Sequence, residues 1–228
     1  LGRVADTTFS VNRGRMPAPF DLSIATETPG AEVRYTLDGS VPGVSRGQVY
    51  TGPIRLERTT VVRAAAFKEN FRPTDVDTHT YVFLDDVVAQ SSSPPGFPAR
   101  WAGVNADYAM DPRITQAAEY AGRMLESLTA VPTLALTTET DDLFGATRGI
   151  YANPERNGVG WERAASMEWI NEDGSGRFQV DCGLRIQGGY FRDRNVTQKH
   201  SLRLLFKDVY GPGKLREEWL AHFPIERD

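Results

Sequence analysis

Over residues 32–38 the apolar positions Val33, Tyr35 and Leu37 alternate with Arg34, Thr36 and Asp38. That period of two predicts a half-buried strand. Asp38-Gly39 follows as turn chemistry, since glycine accepts a positive φ. Residues 59–67 are rich in β-branched and small side chains, and residues 78–83 read as another strand. Pro29-Gly30, Pro42-Gly43 and Gly52-Pro53 punctuate the intervals, and no helical period emerges. Short strands with turn signals about every 8–12 residues predict an antiparallel sandwich over 1–85.

The pattern then changes. Residues 90–101 form a Ser/Pro-rich connection, either a flexible linker or an extended segment pinned by Phe97 and Trp101; the aromatics favour the second. Asp111 suits an N-cap and Pro112 a first helical position. Ile114, Ala117, Ala118, Ala121, Met124, Leu125 and Leu128 recur every three or four residues, predicting one amphipathic helix over 112–128 within a connector of 86–130, its apolar face packed in the core. From 131 to 228 strands return, over 133–136, 149–151, 166–170, 178–186 and 201–206. In 178–186, Phe178, Val180, Cys182, Leu184 and Ile186 alternate with Gln179, Asp181, Gly183 and Arg185. Cys182 therefore sits on an apolar face and reads as a buried, inert thiol. The expected fold class is mainly β with some α: a sandwich, then an α+β segment with an antiparallel sheet and one helix.

Composition narrows the classes of function. The 228 residues are 40% hydrophobic and 25% charged with a net charge of −4, which excludes a disordered tail, a collagen-like fibre and a disulfide-stapled miniprotein. The first 85 residues are neutral, with ten basic and ten acidic side chains. A single cysteine leaves no intrachain disulfide. No apolar run approaches the roughly 18 residues of a spanning helix. A start at Leu1, with neither an initiator Met nor an apolar leader, predicts a trimmed piece of a longer protein whose signal peptide is not in the chain.

Sequence signatures of zinc hydrolases, nucleophile elbows and Walker loops are missing, and His79, His200 and His222 lack metal-like spacing. No metal ligands are assigned, and catalytic residues are unknown. Between Gly183 and Arg216, eight Lys or Arg face two Asp. Within that segment, residues 187–198 join two strands, and Gly188-Gly189 would let backbone N–H groups approach a phosphate, with Lys199 as a point charge. From spacing alone the segment reads first as a solvated hairpin, with the phosphate cradle as the competing reading. Aromatics interleaved with the cations are confined to Tyr190 and Phe191, so no nucleic-acid partner is expected. The upstream acids Asp107, Asp111, Glu119, Glu126, Glu139, Asp141 and Asp142 would dock against the basic loop or hold calcium, although Asp141-Asp142 reads first as the start of a turn.

Two resemblances add to this reading. The run from Pro29 through Tyr35-Thr36-Leu37-Asp38-Gly39-Ser40 to Pro42, then Tyr50-Thr51-Gly52-Pro53-Ile54 and Val62-Arg63-Ala64-Ala65-Ala66-Phe67, resembles the chitobiase/β-hexosaminidase C-terminal-type domain. That resemblance implies a non-catalytic immunoglobulin-like sandwich in a secreted or cell-surface protein. Val131-Pro132-Thr133-Leu134, Asp142-Leu143-Phe144-Gly145, Gly149-Ile150-Tyr151-Ala152-Asn153-Pro154, Leu184-Arg185-Ile186-Gln187-Gly188-Gly189 and Lys199-His200-Ser201-Leu202-Arg203-Leu204 resemble the start of the CotH (spore-coat protein H) kinase-like family. This second resemblance implies a parent that transfers phosphate from ATP with Mg²⁺ to protein Ser or Thr. It places Gly188, Gly189 and Lys199 at the ATP phosphates, with Arg203 beside them. Two loop serines of the family pattern are absent, and its second basic position is His200. The family's metal-binding and catalytic acids belong to a later segment, so this chain by itself is expected to be inactive. The alternative is a non-catalytic surface module contacting protein or carbohydrate through aromatics such as Tyr35, Trp101 or Trp161.

Overall fold

Alternation in the first third of the chain becomes a five-stranded sheet of β1 (Gly14–Arg15), β2 (Glu32–Thr36), β3 (Gln48–Val49), β4 (Thr60–Phe67) and β5 (Asp77–Val82), in the order β1-β5-β4-β2-β3. Its pairings are antiparallel except β1 with β5, which is parallel. The computed structural model describes residues 2–120 and 122–215. Two short antiparallel pairs, Thr7–Phe9 with Ile24–Thr26 and Phe20–Leu22 with Ile54–Leu56, supply the facing layer. Val62, Ala64, Ala66 and Tyr81 point inward and pack with Leu22, Ile24, Val33 and Leu56. Each aliphatic side chain buried this way contributes about 1.5–3 kcal/mol. The first half is thus the expected β-sandwich.

The outward face of that sheet is also buried. Arg63, Ala65, Thr78 and Thr80 are covered because a second sheet lies on them, with β5 against β7. This sheet is an antiparallel meander of β6 (Thr133–Thr137), β7 (Arg163–Ile170), β8 (Gly176–Ile186) and β9 (Leu202–Leu205). The period of two in β8 sorts its faces. Val180, Cys182, Leu184 and Ile186 enter a second core with Ile150, Ala165 and Met167. Asp181, Gly183 and Arg185 lie on the opposite, polar face.

Several expectations change. The period over 112–128 does not give one helix: α2 (Pro112–Thr115) and α3 (Arg123–Thr129) are separate, with a 3-10 turn at Ala118–Tyr120 between them. Gly122 adopts φ +78°, a left-handed conformation that ends helical continuity. The apolar face is not core either, since Ile114 and Leu125 stay 40% and 41% exposed. The start was legible, because the Asp111 side chain accepts from the Arg113 N–H and Pro112 opens the helix. Two short helices lie elsewhere, α1 (Leu84–Val88) and α4 (Thr140–Phe144); α4 takes the place of the expected turn at Asp141-Asp142. Residues 149–151 are not a strand: their N–H groups bond back to Gly145, Asp142 and Leu143 carbonyls, and Ile150 reaches the core from a turn. The connection at 90–101 is ordered as the aromatics suggest. Trp101 is buried with its Nε1 donating to the Tyr108 hydroxyl at 2.9 Å, and Phe97 packs on Tyr108 and Phe144. Among the described residues no helix is long and apolar enough to cross a membrane.

Candidate functional site

The loop between β8 and β9 is held by two arginines, Arg192 and Arg194. Arg192 donates to the carbonyls of Ile186, Gly188, Pro154 and Arg156, and burial lowers its pKa from the ordinary value. Its guanidinium is therefore spent on backbone carbonyls of this loop and of the neighbouring segment at Pro154 and Arg156. Gly188 sits at φ +120°, where a side chain would be strained, and Gly189 leads into a 3-10 turn at Tyr190–Arg192. Gly188 and Gly189 line one open cleft with Glu155, Asn157, Tyr190, Arg192 and Asp193. Arg194 ties the loop to Glu155 at 3.2 Å and to the Ala102 carbonyl at 2.5 Å. A nitrogen of the His200 ring lies 3.1 Å from the Phe191 carbonyl. These ties leave Tyr190 75% and Phe191 64% exposed at the tip.

The two cations expected beside the glycines are not among the residues lining that cleft. Lys199 makes a surface ion pair with Asp107 at 3.0 Å, one link between the acidic connector and the basic loop. Arg203 lies on exposed β9, directly opposite Arg185 of β8.

Sequence reasoning missed the cluster beside Arg203. Glu162 immediately precedes β7 and is buried, and it accepts from Lys207 Nζ at 2.7 and 2.9 Å and from the Tyr210 hydroxyl at 3.2 Å; Arg185 Nη1 is 3.4 Å away. Burial alone would raise the Glu162 carboxyl, but Lys207, Tyr210 and Arg185 outweigh it and hold the group below its usual range. Burial, and then Glu162, push the Tyr210 hydroxyl up. The Tyr210 ring lies over Gly183, where a Cβ would come within 2.5 Å of it. That interruption in an otherwise bulky strand was the available signal. Like charges directly opposed across a sheet repel, so Arg185 facing Arg203 marks a strip where negative charge is favoured. The Arg185 Nε is buried without a hydrogen-bond partner among the described residues.

The remaining acids are dispersed among structural pairs. Asp142 contacts Arg148 at 2.5 Å and Arg163 at 3.7 Å, with burial lifting its carboxyl above the usual range against their pull. Glu139 reaches Arg46 of the sandwich, and Asp111 pairs with Arg113. No three metal-ligating side chains converge among the described residues. Cys182 is buried in the second core, and burial pushes its thiol up to about 12, leaving no thiolate nucleophile at neutral pH.

No curated protein matches the chain, and no solved structure does. Residues 11–78 match the family model of the chitobiase/beta-hexosaminidase C-terminal domain, and those residues make up most of the observed sandwich.

Proposed function

We propose that this chain is the phosphate-facing portion of an extracytoplasmic CotH-like phosphotransferase, inactive by itself, whose parent moves phosphate from Mg-ATP to protein Ser or Thr. The observation that carries this reading is the polar strip along the β8–β9 hairpin. A buried carboxylate, Glu162, holds Lys207 and Arg185 beside Arg203, below the turn that carries Gly188 and Gly189. Phosphoryl transfer depends on positioned cations and a backbone cradle for the phosphates. The donor set fits a phosphate, because Arg185, paired with Glu162 through Nη1, keeps its Nε without a hydrogen-bond partner among the described residues, and Arg203 lies directly opposite it. Transfer also takes carboxylates that hold Mg²⁺. The described acids do not group that way, so no step is assigned to this chain; bound ATP would supply the phosphoryl group.

Thermal unfolding with and without Mg-ATP tests the reading. A ligand bound only to the native state stabilises it by about 2.7 kcal/mol at a hundredfold excess over Kd. The midpoint should rise saturably in the unsubstituted chain and much less in Arg203→Ala and Lys207→Met. Lys199→Ala, which releases a surface pair, should keep most of the rise. No saturable rise, or an equal rise in all variants, would overturn the reading.

A second reading has its own observation. Tyr190 and Phe191 are held out in water by a loop pinned through Arg192, and exposed aromatics on a pre-organised loop suit contact with a protein or a carbohydrate surface. In that case the module binds without chemistry. Tyr190→Ala with Phe191→Ala would then abolish capture by its surface partner while leaving any Mg-ATP response intact.

A further inference from the structure

Sandwich and second sheet meet through charge rather than through apolar packing. Glu168 of β7 is fully buried and accepts from the Thr80 N–H at 2.9 Å and from the Thr80 hydroxyl; Arg13 Nε lies 3.3 Å away. Arg63 of β4 and Asp181 of β8 face one another electrostatically across the same layer. Around this centre β1 is laced to the turn between β7 and β8. Arg15 N donates to the Gly174 carbonyl at 2.8 Å, and the Arg15 guanidinium reaches the Glu172 and Val131 carbonyls at 2.9 and 2.6 Å. At the far edge Arg46 forks onto Glu139 at 2.8 and 2.9 Å, and the Val41 N–H donates to the same carboxylate at 2.8 Å.

We propose that the sandwich is a bracing half of the second sheet rather than a separable spacer, with Glu168 as the positioning residue that couples the two halves energetically. Three features carry this. Removing one partner of a buried charge network leaves the others desolvated and unpaired, so loss of the Glu168 carboxylate would leave the Arg13 guanidinium and the Thr80 N–H at the closed joint without the acceptor they share. Close approach of the chains leaves little room at the joint, because a Cβ on Gly14 would lie 2.5 Å from the Gly174 oxygen. Finally, Asp181, which faces the sandwich, lies on the same strand and face as Arg185, so the joint and the Glu162 cluster are mechanically continuous. The inference stands whether or not the strip binds phosphate.

The chain carries its own reporters. Trp101, Trp161, Trp169 and Trp219 all follow the sandwich, so tryptophan fluorescence reads the second half alone. Val33→Ala lies in the sandwich core, on the side of the sheet away from the joint. In the full chain it should lower the tryptophan-reported unfolding midpoint by the same amount as the midpoint read from amide exchange at Val62 and Tyr81. In a Glu168→Ala background, itself lowered by on the order of 10 °C, the effect of Val33→Ala on the tryptophan midpoint should shrink. Glu168→Gln, which keeps an acceptor for the Thr80 N–H, serves where the alanine variant does not fold. A tryptophan midpoint untouched by Val33→Ala overturns the coupling. An undiminished effect in both Glu168 backgrounds overturns the role of Glu168.

Discussion

Acid should destabilise the sandwich chiefly through the imidazole of His79. His79 is 9% exposed, stacks on Phe9 with centroids 3.9 Å apart, and lies 3.5 Å from the Tyr81 hydroxyl through Nδ1. Burial, with the Arg13 charge adding to it, lowers its pKa to about 3 from about 6.5. The folded state therefore refuses a proton that the unfolded chain accepts. Stability from this group is fully present above about pH 6.5 and is lost progressively down to about pH 3. At about 1.4 kcal/mol per pH unit, the total is on the order of 5 kcal/mol, a large share of the stability of an ordinary domain. Asp77, Glu168 and Asp181 work in the opposite direction. Burial raises each of them, so each adds stability as pH falls through its raised value. A comparison with His79→Gln isolates the histidine, because the carboxylates are common to both proteins. Urea unfolding between pH 7.5 and 4 should show wild type losing stability relative to the variant by about 1.4 kcal/mol per unit below pH 6. The imidazole resonances should stay unshifted down to about pH 4. Titration of His79 near 6.5, or parallel pH profiles for the two proteins, would refute the reasoning.

Two further outcomes follow from packing. Gly176→Ala would place a Cβ 2.1 Å from Arg13 Cγ and 2.3 Å from the Arg13 oxygen; overpacking of this kind costs about 1–3 kcal/mol, read as a lowered melting midpoint, and an unchanged midpoint would contradict the tight joint. Cys182, buried with its thiol pushed up to about 12, should react with a thiol reagent only as fast as the protein unfolds, so rapid stoichiometric labelling of the native chain would show the second core to be open.

How far the sequence could be read depended on what each pattern encodes. Period-two alternation sorted the faces of β8 correctly and located β2, although that strand stops at Thr36 where Asp38 turns to accept from the Ser40 N–H. The three-and-four spacing over 112–128 failed because it reports where apolar side chains would align if the backbone were helical. Gly122 prevents that continuity, and Ile114 stays 40% exposed. The joint was invisible for a related reason. Arg63, Thr80, Glu168 and Asp181 stand at outward positions of their strands, and alternation says that such residues share a face without saying whether the face is wet. Of the candidate site, Gly188 and Gly189 line one cleft, whereas Lys199 is spent on Asp107. Glu162 and Lys207 are 45 residues apart, a pairing that only the sheet register brings together.

Amide and arginine side-chain chemical shifts recorded during a titration with Mg-ATP would show whether the β8–β9 hairpin meets the phosphates. Saturable shifts are expected to concentrate at Gly188, Gly189, Arg185 and Arg203 and to weaken in Lys207→Met. Shifts absent throughout, or confined to residues away from the β8–β9 hairpin, would contradict that contact.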